Sequence, residues 1–96
     1  MSTGKVTPAD IEANIRSEFY FTASEGVNHC NSDDPELDLL TYCVLVPMRG
    51  DPITAYSLAA DPADLNPAVE RYIARQKAFN KLGELMAYAA KAALND

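Results

Sequence analysis

Tryptophan is absent from the 96 residues, histidine occurs once, and there are only 2 cysteines and 4 glycines. Each scarcity removes a class of function. The single histidine, His29, and the lack of an elbow motif around Ser24 or Ser57 leave no Ser–His or Cys–His nucleophile to assemble, so no catalytic residues are expected. His29 and Cys30 stand side by side among acidic residues with no second paired motif, a poor zinc signature, so neither a metal nor another cofactor is expected. Cys43 lies in an apolar run and reads as a buried free thiol. Basic residues are few as well: 8 Lys and Arg against 14 Asp and Glu give a net charge of −6, a field that repels duplex nucleic acid. No apolar run approaches the ~20 residues of a membrane span. Met1 to Lys5 carries neither an apolar core nor a cleavage pattern, so the chain is expected to be cytoplasmic.

What is present is an ordinary globular composition. Hydrophobic residues make up 48%, enough to argue against disorder. Residues 1–96 form one domain, with 1–6 as a flexible N-terminus. A chain this short buries only roughly 60–65% of its unfolded surface, so self-association is an attractive source of further burial.

The first strong local signal is Val6-Thr7-Pro8-Ala9-Asp10-Ile11. Thr7 suits an N-cap, Pro8 the first helical position, and Asp10 the positive helix end. Ile11, Ile15 and Phe19 repeat every four residues, which predicts a helix over about 8–18, with 19–22 leaving it in extended or helical form. Residues 24–38 hold Gly26, Asn28, Asn31 and Pro35 with no period, and read as an acidic loop. Residues 39–46, dense in β-branched and aromatic types, predict a strand that is central or covered on both faces. Arg49-Gly50-Asp51-Pro52 is a turn signal, and the alternation of 53–58 completes a hairpin. Pro47 suits a bulge or an edge position. Asp61 and Asp64 read as helix caps, and Tyr56 and Tyr88 as packing residues with polar tips. Asn66-Pro67 then opens a helix of roughly 27 residues, or ~40 Å, with Gly83 its only interior breaker. The class is α+β in the order α-β-β-α.

The long helix has two apolar seams. One runs through Tyr72, Phe79, Gly83 and Met86, the other through Ala78, Leu82, Leu85 and Ala89. A helix lying on a hairpin needs one stripe, so the second predicts a homo-oligomer with Leu82, Leu85 and Ala89 at the interface. Arg71 and Arg75 open the second seam one turn apart. An unpaired charge does not belong on a buried surface. Three readings follow: pairing with a carboxylate such as Glu12 or Glu18, an interface ion pair, or an anion clamp forking onto a phosphate at a subunit junction.

The opening from Val6 to Ile15, followed by Glu18-Phe19-Tyr20-Phe21-Thr22-Ala23, resembles a family of small tailed-phage proteins, the gene-product-49/gene-product-66 family. The run Leu39 to Val46 is similar to its second block and Tyr72 to Ala78, which contains Arg75, to its third. Two departures are the interruption of the hairpin by Pro47 and Asp51-Pro52, and the alanine-rich stretch after Ala87. The resemblance implies a phage or prophage origin and action inside the infected bacterial host. It implies no activity. Small acidic phage proteins without catalytic motifs act by binding, and three modes are open. One is counter-defence by sequestering a host nucleotide signal at Arg71 and Arg75. Another is an inhibitor or adaptor that binds a host or phage protein through an acidic surface. The third is a minor virion or assembly component.

Overall fold

A computed structural model describes residues 5–27 and 34–94. Thr7 caps the first helix, α1 (Pro8–Ala13), through a reciprocal box: Asp10 N–H donates to Thr7 Oγ1 at 3.2 Å and Thr7 N–H to the Asp10 carboxylate at 2.9 Å. The helix is shorter than the predicted 8–18. It ends at Asn14, whose carbonyl and side-chain oxygens accept from the Met48 and Arg49 N–H groups at 2.6 and 3.1 Å. Those bonds tie the helix end to the hairpin turn.

The chain then enters a strand, β1 (Ile15–Thr22), where the sequence predicted helix. The reason is arithmetic. A spacing of four residues fits a helical stripe, but it is also two strand periods, so the spacing alone does not separate the two. In the strand an extra residue at Arg16 puts Ile15 on the α3 side with Pro47 and Phe19 on the opposite face with Val44. The aromatic and β-branched content of Ile15 to Thr22 decides in favour of the strand. A second capping box, Thr22 with Glu25, starts a single turn, α2 (Ala23–Gly26), inside the span predicted as loop. Later in that span Pro35–Leu39 forms a 3-10 turn capped by Asp34. Strands β2 (Leu40–Pro47) and β3 (Ile53–Leu58) follow, joined by a turn in which Gly50 takes a positive φ of 107°. The last helix, α3, spans Pro67–Leu94.

The sheet is antiparallel in the order β1-β2-β3, so the predicted hairpin gains a third strand. Pro47 pairs with Ile15 where β1 carries one extra residue, Arg16, as a bulge. The architecture is α+β, one helix on one face of a three-stranded sheet. β2 is central, as expected, but covered once. Its Cys43 and Leu45 are fully buried under α3, whereas Tyr42, Val44 and Val46 on the other face are half-exposed.

α3 meets the sheet through Glu70, Ala74, Ala78 and Leu82, all buried at four-residue spacing. Small side chains at the centre let the helix axis come close to the strands. This stripe overlaps the second predicted seam at Ala78 and Leu82. Tyr72, at 64% exposed, points away from the core, and Leu82, at 3%, belongs to the chain's own core. Leu82 is therefore occupied within the single chain, and of the three predicted interface residues only Leu85 and Ala89 lie exposed. Gly83 is where α1 crosses α3: a Cβ there would sit 2.7 Å from Ile11 Cδ1. Its 28 residues make α3 about 42 Å long, against ~27 Å for an eight-residue strand, so the helix outruns the sheet. Among the described residues no helix is long and apolar enough to cross a membrane.

Candidate functional site

The densest polar cluster joins three elements at Arg75. Its Nε donates to Glu18 Oε2 of β1 at 2.9 Å and its Nη2 to Glu12 Oε1 of α1 at 2.8 Å. The Tyr20 hydroxyl donates to the second Glu18 oxygen at 3.2 Å, and the guanidinium lies 5.6 Å from the Phe79 ring centre. The bulge at Arg16 sets the phase that turns Glu18 toward the helix, in register with Leu45 and Ile53. Burial works against the Arg75 charge, but the bonds and fields of Glu18 and then Glu12 outweigh it and raise the pKa above the ordinary arginine value. The pairing with Glu12 and Glu18 read from the sequence is thus present, with both carboxylates at once.

Arg71, one turn earlier, is exposed and takes no part in an ion pair among the described residues. The Glu25 carboxyl is held below its usual range chiefly by the Thr22 N–H and hydroxyl, with a smaller contribution from Arg71. Two cations therefore face three carboxylates, Glu12, Glu18 and Glu25. Within one chain the cluster is not an electropositive pocket.

Beneath this cluster Tyr20 and Cys43 meet on the helix-facing side of the sheet. Burial, followed by the fields of Cys43 and Glu18, pushes the Tyr20 hydroxyl up to about 12. Burial also raises the Cys43 thiol, against a smaller opposing effect of the Tyr20 hydroxyl. A buried thiol held protonated is a packing group rather than a nucleophile.

Sequence reasoning missed two further polar features. Glu70, 6% exposed, accepts from the Ser57 hydroxyl at 2.5 Å between α3 and β3. Its position four residues before Ala74 and eight before Ala78 was the available signal, because it continues the helix stripe into the core. Lys77 and Lys81 reach over the free edge of β3, donating to the carbonyls of Tyr56 and Thr54 at 3.2 and 3.0 Å. Their spacing of one turn beside an edge strand is a usual device for blocking strand addition. With Tyr42 and Tyr56 they line a groove of about 490 Å³. A second, more apolar groove of about 610 Å³ lies between α1, the hairpin turn and α3, lined by Val6, Met48, Met86 and Ala90.

Among the described residues no group of three or more His, Cys, Asp or Glu is placed to hold a metal ion. His29 and Cys30 lie outside the described residues. No curated protein and no solved structure matches the chain. A family model does: over residues 6–94, nearly the whole length, the chain belongs to the Phage protein (N4 Gp49/phage Sf6 gene 66) family.

Proposed function

We propose that this phage protein acts by binding rather than by catalysis. Its ligand is a small phosphorylated molecule of the nucleotide type, held at Arg71 and Arg75, and its capture in the infected host serves counter-defence. The observation that carries this reading is the state of the two arginines. Glu12 and Glu18 fix the Arg75 guanidinium by its Nε and Nη2, while Arg71 stands exposed one turn away on the same helix. A guanidinium already oriented by protein partners loses little freedom on meeting a phosphate. The three carboxylates nearby set a condition: one chain does not supply enough positive charge, so the site is completed at a junction between copies. The exposed Leu85 and Ala89 on the overhang of α3 are available for such a contact.

A second reading is favoured by the exposed acidic groups Asp34, Glu36 and Asp38 on the turn before β2. They suit docking of a basic host or phage protein. Thermal unfolding with a panel of linear and cyclic nucleotides separates the two readings. A ligand at a hundred times its dissociation constant adds about 2.7 kcal/mol, which raises Tm by at least ~10 °C in a domain this size. The shift is expected in the parent and not in Arg71→Ala. A parent that no nucleotide stabilises would reject the first reading in favour of the second.

A further inference from the structure

The face of the sheet opposite α3 bears side chains of both classes usually kept from water, aromatic and aliphatic. Phe21, Tyr42 and Tyr56 form a cross-strand row, with ring centres 5.3 and 6.0 Å apart. Phe19, Val44 and Thr54 make the row on one side of it, and Leu40 with Leu58 the pair on the other. Phe19 is 56% exposed, Phe21 37%, Tyr56 52% and Leu58 61%. No charged residue stands at any of these paired positions, in a chain of net charge −6; the charge at the border of the face is positive, with Lys77 Nζ 5.7 Å from the Tyr56 ring centre.

We infer that this face is the contact surface for a second copy of the chain, two sheets packing face to face about a two-fold axis with α3 outermost on each side. Three observations select that occupant. The first is charge. Two molecules of charge −6 repel wherever carboxylates meet, and a face whose paired positions carry no carboxylate, with only Lys77 and Lys81 at its β3 edge, is where they approach without that penalty. A basic partner would meet Lys77 and Lys81 at that edge. The second is area. At about 200 Å² for a large side chain, the four exposed residues offer about 400 Å², and their half-buried neighbours bring the face to about 600 Å². Two such faces give about 1,200 Å², the lower limit for a stable interface. The third is that growth at the sheet edges is blunted. Lys77 and Lys81 occupy the carbonyls of β3, and the bulge at Arg16 distorts β1, which leaves face packing as the route to further burial.

The contact is independent of Arg71 and Arg75. Sedimentation of the full chain across a concentration series tests it, alongside Phe19→Lys/Leu58→Lys and Leu85→Lys. The parent is expected at twice 10.4 kDa, or at four times that mass where the α3 junction around Leu85 also forms. Phe19→Lys/Leu58→Lys is expected at half the parent's mass with an unchanged circular dichroism spectrum, and Leu85→Lys at twice 10.4 kDa, still paired across the sheet. Should the double variant fail to fold, hydroxyl-radical footprinting of the parent gives the answer without it. Phe19 and Tyr56 are expected to gain protection as concentration rises, while Tyr72 and Tyr88 on α3 stay reactive. A parent that is a monomer at about 100 μM, or protection confined to Tyr88 and its neighbours, would overturn the inference. So would a monomer whose tyrosine emission is quenched by single-stranded oligodeoxythymidylate, since the face would then be a base-stacking platform.

Discussion

Replacing Arg75 by alanine removes a side chain that ties α1, β1 and α3 together. Its cost follows from exposure. The Arg75 side chain is 24% exposed, but Glu18 is 39% and Glu12 59% exposed, so water screens both pairs. Exposed pairs contribute about 0.2–1 kcal/mol each, well short of the ~3–5 kcal/mol lost when a buried pair is broken. The two bonds together are worth about 1 kcal/mol. Contact of the guanidinium with Phe79 adds about 0.5–1 kcal/mol, giving a total near 1.5–2 kcal/mol. In a domain of this size that lowers Tm by about 6–15 °C. Scanning calorimetry on the parent, Arg75→Ala and Arg71→Ala provides the measurement, with Arg71→Ala expected within about 0.5 kcal/mol of the parent. Repeating the scans in 1 M salt, where the Debye length is about 3 Å, should narrow the gap between parent and Arg75→Ala. A loss below about 0.5 kcal/mol would show that the node carries no structural weight. A loss above about 3 kcal/mol would show that the pairs are better shielded than their exposure implies.

The Ser57–Glu70 bond gives a prediction of opposite character because both groups are buried. Ser57→Ala strands a buried carboxylate and is expected to cost about 1–3 kcal/mol in urea denaturation, whereas adding Glu70→Leu to it recovers most of that loss; strictly additive effects would refute the coupling. On the acid side, the Thr7 N–H and hydroxyl hold Asp10 below the usual 3.8, and those of Thr22 hold Glu25 below the usual 4.5. Carboxyls with a lowered folded-state pKa stabilise the fold above their unfolded values and lose that contribution as pH falls through the folded ones. Tm should therefore decline below about pH 4.5, and less steeply in Asp10→Asn/Glu25→Gln; equal slopes for parent and variant would count against the caps.

Much of the chain was legible because its signals are local. Thr7-Pro8-Ala9-Asp10 encodes its cap within four residues, and Asn66-Pro67 followed by 27 residues without proline encodes α3 by composition and spacing alone. The apolar run in β2 similarly identified a central strand. What the sequence could not decide is what each face meets. Ile11, Ile15 and Phe19 obey a four-residue spacing that helix and strand share, and the choice fell to pairing with β2, a contact between residues more than twenty positions apart. Leu82 and Leu85 look equivalent along α3, yet one is buried and the other exposed, because only the position of the sheet fixes which side of a helix is inside. Arg75 could be named as a pairing residue, with Glu12 and Glu18 as partners, but a guanidinium shared by both required β1 to return beside α1. The aromatic and aliphatic face of the sheet was least visible of all. Phe19, Tyr42 and Tyr56 come from three separate strands, and only their register assembles them into one surface.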